Sequence, residues 1–250
     1  MSPASSSARR PPRAVILGCA ALRLAAEERR FFADADPLGF ILFQRNCDNP
    51  GQLRALIAAL RETVGPDVDI MVDAWMSWDV PYALQMGERL AEYAPRWIEE
   101  PVLPDKPASY AEITRRMRGG ILVSGAEHEY TRWGLHQLMA AGAMDVYQPD
   151  TYWAGGISEM CKIAALASAY DVQLIPHGHS VPANTHFSFA QPPTLTPLLE
   201  YLLKWNTIHQ FFLAHPVHPV DGKVTPPTQP GLGMELDENK IESRRELTFA

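Results

Sequence analysis

The chain has 250 residues, of which 46% are hydrophobic and 20% are charged, a composition that supports one large globular domain. Its net charge of -7 argues against nucleic acid or an anionic membrane as a partner, and no apolar run reaches the roughly 20 residues of a membrane span. The three cysteines are widely spaced and form no C-x-x-C pattern, which predicts free thiols and a cytoplasmic protein.

The first residues differ in composition from the rest of the chain. Residues 1–13 are rich in Ser, Pro and Arg and contain no apolar segment, so we interpret them as a disordered leader and not as a signal peptide. The predicted domain therefore covers residues 14–250 and includes a C-terminal extension.

From residue 14 onward, short β-rich runs alternate with segments that favour helices. The predicted strands are 14–18, 39–43, 69–73, 96–99, 121–125, 144–148, 172–176 and 198–202. The predicted helices are 50–65, 80–94, 109–119 and 157–171. Apolar strands that alternate with amphipathic helices indicate an α/β fold with a covered parallel sheet, and eight such units predict a (β/α)8 TIM barrel. A doubly wound open sheet is the alternative, but the segment after the first strand lacks its glycine-rich phosphate loop.

Polar residues recur at the ends of the predicted strands, where a barrel carries its active site. Their spacing is close to one βα unit, and they are Asp73, Glu99, Glu127, Asp150, His177 and Glu200. A single strand-end acid is commonly a loop carboxylate or a helix cap, but six in register point to a shared site. Three converging carboxylates repel unless a cation joins them, and oxygen ligands favour Mg²⁺ over Zn²⁺. Asp73, Glu99 and Glu127 are therefore predicted to hold Mg²⁺.

Two neighbours of these residues receive separate interpretations. Glu100 should point away from Glu99, because strand side chains alternate, so we assign Glu100 a structural pairing role. His179 lies two residues after His177 and is predicted to form a second polar wall of the site.

Several stretches of the chain resemble a known family. The segments VDAWMSWDVPYALQM, WIEEPVLPDKPASYAEI and IPHGHSVPANTHFSFAQP are similar to the barrel domain of the L-rhamnonate dehydratases, in the mandelate racemase branch of the enolase superfamily. The resemblance runs from about residue 69 to about residue 238. It implies that the same three acids bind Mg²⁺, that His177 and Asp150 form a catalytic dyad, and that His128 and Glu200 line the site.

The resemblance also implies a reaction. A sugar acid such as L-rhamnonate would lose its C2 proton to His177 and then its 3-hydroxyl as water, giving a 2-keto-3-deoxy acid. Mg²⁺ would act as the Lewis acid that stabilises the enediolate. Protonated His177 would supply the proton to the leaving hydroxyl, with His128 as the alternative acid.

The first quarter of the chain resembles a different family. Residues 14–65, and PLGFILFQRN within them, are similar to the start of bacterial β-N-acetylglucosaminidases, which predicts a chimera with a junction near 64–69. The hydrolase's D-x-E-G-G type segment does not follow. Arg45, at the end of the second strand, is then predicted to hold an anion.

Three functions follow as hypotheses. The first is the acid-sugar dehydratase, with a small-molecule sugar acid as its partner; whether the protein forms homo-oligomers is left open. The second is a Mg²⁺-binding barrel scaffold with little catalysis, because the superfamily's N-terminal capping domain is not found in this sequence and we expect poorer exclusion of water. The third is a glycosidase, for which no pair of acid and nucleophile carboxylates is identified.

Overall fold

The structure is a computed structural model that describes residues 13–35, 37–65, 68–220 and 222–246. The predicted leader therefore lies outside the described residues apart from Arg13, and so do residues 66 and 67 of the predicted junction. The strands are β1 (Arg13–Gly18), β2 (Pro37–Leu42), β3 (Asp69–Asp73), β4 (Trp97–Glu99), β5 (Leu122–Gly125), β6 (Val146–Tyr147) and β7 (Gln173–Leu174).

Nine helices lie between and after these strands in the described part of the chain. They are α1 (Ala26–Ala35), α2 (Pro50–Val64), α3 (Val80–Leu90), α4 (Pro107–Arg116), α5 (Thr131–Ala140), α6 (Thr151–Ala154), α7 (Ile157–Tyr170), α8 (Val181–Phe189) and α9 (Leu203–His209). Three of them begin at carboxamide or carboxylate caps: Asn49 accepts from the Gln52 N–H, Asp79 from the Tyr82 N–H and Asp150 from the Tyr152 N–H.

The seven strands form one parallel sheet in sequential order, which confirms the predicted α/β class. The helices cover its outer face. On α2, for example, Leu53, Leu56, Ile57 and Leu60 are buried against strand residues such as Phe40. These four positions have the spacing of one helical face, and this face fixes α2 on the sheet.

A separate apolar cluster lies on the inner face of the sheet. It contains Met71 of β3, Trp97 of β4, Val146 of β6 and Ile175, with Ile41, Leu122 and Leu198 packed against it. Residues from β2 through the segment after β7 can meet in one cluster only if the sheet curls around them. This cluster is the packed interior of a TIM-barrel-like domain.

The predicted eighth strand at 198–202 is wrong: the described residues contain seven strands, and this segment is irregular. The chain nevertheless runs beside β7, where the Leu174 N–H donates to Leu195 O (2.8 Å) and the Glu200 N–H donates to Pro176 O (3.3 Å). Pro197 lies between these two contacts and has no N–H to give, so a regular ladder cannot form. An irregular segment thus follows β7 where the eighth strand was expected.

The two sides of the predicted junction are joined by regular pairing. β2 and β3 are in register over four residues, from Gly39 opposite Asp69 to Leu42 opposite Val72. Leu42 and Met71 are completely buried. The three cysteines are unpaired, as predicted. No helix in the described ranges is long and apolar enough to cross a membrane.

Candidate active site

The polar residues of the site form a layer directly above the apolar interior. In the strand register, Met71 faces Trp97, and Trp97 faces Leu122; two residues later Asp73 faces Glu99, and Glu99 faces Ser124. Side chains two apart on a strand share one face, so the carboxylates continue the inward-facing rows. In the same way, Gln148, His177 and Glu200 each lie two residues after an interior residue, which is Val146, Ile175 and Leu198 respectively.

Glu99 is almost fully enclosed in this layer. It is 2% exposed, and its carboxylate accepts from Trp97 Nε1 (3.0 Å) and from Gln148 Nε2 (2.9 Å). Burial raises the pKa of Glu99 well above its usual range, and the charges of Asp73, Glu200 and Glu127 raise it further. The acids of the site are therefore close enough to repel one another.

Asp73 ends β3 and has a similar environment. Its Oδ1 accepts from the Trp75 N–H (2.8 Å), and its side chain is buried. Burial raises the pKa of Asp73 to about 7; this hydrogen bond opposes the shift, and the charges of Glu100 and Glu200 add to it. The carboxylate is thus poised to lose its proton when a positive charge is supplied.

His177 contacts carboxylates on both sides of its ring. Its Nε2 lies 3.3 Å from Glu127 Oε2 and 3.9 Å from Glu200 Oε2, and its Nδ1 lies 3.3 Å from Asp150 Oδ2. Burial alone would lower the pKa of His177, but Glu200, Asp150 and Glu127 raise it to about 10. For the acid Glu127, burial has the opposite effect and raises the pKa to about 8, although the charge of His177 opposes that shift. Without a further cation, the imidazole is held in its protonated form at neutral pH.

Asp150 is fixed by several donors at the start of α6. Its Oδ1 accepts from the Tyr152 N–H (2.9 Å) and from Ser180 Oγ, while Oδ2 faces His177. Burial would raise the pKa of Asp150, but the hydrogen bonds from His177 and Ser180 outweigh it and the pKa is lowered. Asp150 therefore stays ionised and orients the imidazole.

His128 and Glu100 form a second pair beside the first. His128 Nδ1 lies 3.1 Å from Glu100 Oε1 and 3.4 Å from Glu127 Oε1. Glu100 has a positive φ of 41°, an uncommon backbone conformation for a non-glycine residue, and it is 1% exposed. Glu100 pairs with His128, but its expected direction is wrong: the positive φ breaks the strand alternation, and the carboxylate lies beside Glu127 within the acid cluster of the site. The Oε2 atom of Glu100, however, is buried and has no hydrogen-bond partner.

The structure brings most, but not all, of the predicted residues together. Glu200 joins the site, and its Oε2 accepts from the Gly178 N–H (3.0 Å). Arg45 does not: its Nε donates to Cys19 O (3.2 Å) and its guanidinium lies over the Phe43 ring (4.5 Å). Arg45 belongs to a 3₁₀ turn beyond the end of β2, so spacing along the chain did not fix the direction of its side chain.

Potential metal ligands lie in contact in two groups within the described ranges. Each has three donor atoms within 4.8 Å of one another, and the groups are Glu100, Glu127 and His128, and Asp150, His177 and His179. The trio predicted from the sequence, Asp73, Glu99 and Glu127, does not meet this distance in the described residues. The charges of Asp73 and Glu127 nevertheless raise the pKa of Glu99, and the charge of Asp73 raises the pKa of Glu127.

The donor set fits a divalent cation. In the described part of the chain, no lysine or arginine forms an ion pair with Asp73, Glu99, Glu100, Glu127 or Glu200. Burial and mutual repulsion raise the pKa of several of these acids, and buried oxygens of Glu100 and Gln148 lack partners. Clustered carboxylate oxygens without a lysine or arginine partner are the ligands that Mg²⁺ prefers.

Sequence reasoning missed four residues that complete the site. Gln148 and Ser124 lie in the polar layer, Ser180 donates to Asp150, and the Nε2 atoms of His209 and His179 are 2.8 Å apart. Gln148 could have been found from its position two residues after the interior Val146. The roles of Ser180 and His209 depend on contacts between distant segments and leave no spacing signal.

Comparison with known proteins gives consistent results. The family described as "Enolase C-terminal domain-like" matches residues 14–240, so the match crosses the predicted junction and does not confirm it. An L-rhamnonate dehydratase of Saccharopolyspora erythraea is 39% identical over 193 residues, which are 74% of this chain and 48% of that protein. A D-galactarolactone cycloisomerase of Agrobacterium fabrum is 37% identical over 202 residues, 76% of this chain and 52% of that protein.

Solved structures agree with the fold. An enolase from Bradyrhizobium, complexed with magnesium and mandelic acid, superposes with a TM-score of 0.77 at 28% identity and covers 92% of this chain and 61% of its own. The 3,6-anhydro-D-galactonate cycloisomerase from Zobellia galactanivorans has the same TM-score at 27% identity and covers 92% and 64%. The chain spans about half the length of the curated relatives it matches. The chain belongs to the enolase C-terminal domain-like family.

Proposed function

We propose that the protein catalyses Mg²⁺-dependent dehydration of a sugar acid, with L-rhamnonate or a similar aldonate as substrate. The observation that carries the proposal is the imidazole of His177, which contacts Asp150 through Nδ1 and acids of the polar layer through Nε2. The L-rhamnonate dehydratase named among the relatives supports this choice of substrate class.

In this proposal, Asp73, Glu99 and Glu127 hold Mg²⁺, which supplies Lewis-acid stabilisation of charge on the substrate carboxylate. The positive charge would also offset the acids that raise the pKa of His177, so that the ring can be neutral and act as a base. His177 Nε2 then takes the C2 proton, while ionised Asp150 keeps the proton on Nδ1 and fixes the ring.

The 3-hydroxyl leaves as water after it receives a proton. His177, protonated in the first step, is the simplest donor. His128 is the alternative, since its Nδ1 is within 3.4 Å of both Glu100 and Glu127 and its ring borders the same acids. The product is a 2-keto-3-deoxy acid after ketonisation.

The decisive experiment measures two activities of the purified protein with Mg²⁺ and L-rhamnonate. One is the formation of 2-keto acid, and the other is exchange of the substrate C2 proton with deuterated solvent. We expect His177→Asn to abolish exchange and Asp150→Asn to reduce it partially, because the base loses its orientation. His136→Asn is the matched control, since His136 is exposed and contacts Tyr170 instead.

If exchange survives in His177→Asn and is lost in His128→Asn, the roles of the two histidines are reversed. Absence of both activities in the intact protein would contradict the dehydratase proposal for the chain as it stands. It would favour the Mg²⁺-binding barrel with little catalysis, which predicts that Mg²⁺ still binds.

Mg²⁺ binding is tested separately by calorimetric titration. We expect Glu99→Gln to weaken affinity far more than Glu100→Gln, because Glu99 lies in the inward row with Asp73 and Glu100 pairs with His128. Equal effects would show that both adjacent acids are ligands.

The cycloisomerase relatives favour a second candidate substrate. D-galactarolactone, acted on by the Agrobacterium relative according to its name, should be assayed beside L-rhamnonate. If the protein turns over the lactone and not L-rhamnonate, the proposed site residues stand and the proposed dehydration is replaced by the reaction of the lactone.

A further inference from the structure

A pair of histidines on the rim of the site has a geometry that the proposed reaction does not use. His179 follows β7, and His209 is the last residue of α9. Their Nε2 atoms are 2.8 Å apart, and their ring centroids are 3.9 Å apart. At this distance the two imidazoles share one N–H···N hydrogen bond, and both ring nitrogens are also potential metal ligands.

We propose that His179 and His209 form a chelating site for a late first-row transition metal ion, Cu²⁺ or Ni²⁺. The site is distinct from the oxygen-rich acid layer in its ligand chemistry. Imidazole nitrogens suit Cu²⁺, Ni²⁺ and Zn²⁺, whereas Mg²⁺ prefers carboxylate and water oxygens.

The separation of the nitrogens is compatible with two ligands of one ion. With metal–nitrogen bonds of about 2.0–2.1 Å, two adjacent ligands at a right angle are about 2.9 Å apart, and two at a tetrahedral angle are about 3.3 Å apart. The observed 2.8 Å corresponds to the right angle. Square-planar and tetragonal nitrogen sites are typical of Cu²⁺ and Ni²⁺, while Zn²⁺ sites are tetrahedral.

Both rings have aromatic neighbours. Trp205, one turn earlier on α9, stacks on His209 with a centroid distance of 6.3 Å and an interplanar angle of 14°. Trp153 lies against His179 at 6.1 Å. Because these contacts restrict the rings before an ion arrives, less conformational entropy is lost when it binds.

The protonation state of the pair also suits a metal. Burial lowers the pKa of His179, and the neighbouring His209 lowers it further. Burial likewise lowers the pKa of His209, with His177 adding to the shift. Imidazole binds metals in its neutral form, so ions need not displace protons at neutral pH. Donor atoms of Asp150 and His177 lie within 4.8 Å of a donor atom of His179.

The affinity test is calorimetric titration of the full chain with NiCl₂ in saturating Mg²⁺, which keeps the acid layer occupied. We expect one tight site. His209→Gln and His179→Gln should each weaken it on the order of 100-fold, because the second arm of a chelate acts at high effective concentration. His136→Gln, the matched control, should bind as the unmodified protein does. His209 is exposed, so its variant is the decisive one if His179→Gln fails to fold.

The ligand test uses electron paramagnetic resonance with one equivalent of CuCl₂. It is performed in a Cys161→Ser background, because the exposed thiol of Cys161 competes for Cu²⁺. Splitting from two imidazole nitrogens that falls to one in His209→Gln supports the proposal. Nickel binding unchanged in His209→Gln, or a copper spectrum with one nitrogen in the unmodified protein, would overturn it in favour of a simple N–H···N hydrogen bond. Neither measurement depends on the dehydratase activity.

Discussion

Replacing Asp73 by Asn should stabilise the metal-free protein while it weakens Mg²⁺ binding. The carboxylate is buried among other acids, and its pKa is raised from 3.8 to about 7. A carboxyl group whose pKa is raised on folding favours the folded state only while it is protonated. This contribution to stability is complete below the unfolded pKa and is lost as the pH rises through the folded pKa. Asn keeps an oxygen that can accept from the Trp75 N–H, so the local hydrogen bond survives.

The size of the effect follows from the shift. One pKa unit corresponds to about 1.4 kcal/mol, so ionised Asp73 costs the folded state about 4 kcal/mol at pH 8. At pH 5 the carboxyl is protonated in the folded state and ionised in the unfolded state. The cost to the folded state is then set by the difference between this pH and the unfolded pKa, and it falls to about 2 kcal/mol. The advantage of Asp73→Asn should therefore be larger at pH 8 than at pH 5.

Urea unfolding in EDTA at both pH values measures these free energies. Asp105→Asn is the control, because Asp105 is exposed on the loop before α4. Mg²⁺ should then stabilise the unmodified protein, by about 2.7 kcal/mol at a concentration 100 times its Kd, and stabilise Asp73→Asn much less. If Asp73→Asn is no more stable than the unmodified protein at pH 8 in EDTA, the acid layer is not under the electrostatic strain described here.

Two further predictions concern His177 and Gly39. NMR titration in EDTA should find the His177 ring protonated at neutral pH, with a midpoint near the pKa of about 10, and Mg²⁺ should lower that midpoint by about one unit or more. The stability that His177 contributes is present below pH 6.5 and is lost as the pH rises through 10; a neutral ring at pH 7 in EDTA would contradict this reasoning. Gly39→Ala should destabilise the fold by about 1–3 kcal/mol, because its Cβ would lie 2.5 Å from the backbone oxygen of Asp69 on the paired strand. Urea unfolding equal to that of the unmodified protein would show that β2 and β3 can separate without cost.

Periodicity predicted most of the strands and four of the helices, because it follows from burial. The limits of β3 match the predicted run, and α2 differs from its prediction by one residue. The failure at 198–202 has a local cause, because apolar content there resembles a strand while Pro197 prevents a continuous ladder. The irregular segment keeps the inward side chains and loses only the regular backbone pairing.

The site was predictable where its residues follow strands and not where they depend on contacts between distant segments. The acids of the polar layer and His177 carry a spacing signal. The contact between Glu100 and His128 depends on a backbone turn at positive φ, which no pattern in the sequence encodes. Arg45 is the opposite case. Its position after the second strand predicted a place in the site, but its side chain points to Cys19.

The step of two residues between the apolar interior and the polar layer determines which length changes the protein can accept. Deleting or inserting a single residue inside β3 or β4 would turn Met71 or Trp97 away from the interior and exchange the carboxylate for a hydrophobic neighbour. A change of any length in the loops before these strands, at the opposite end of the barrel, does not alter which strand side chains face the interior. Insertions and deletions that survive in related sequences should therefore be confined to loops, and libraries with variable loop lengths should retain Mg²⁺ binding far more often than libraries with variable strand lengths.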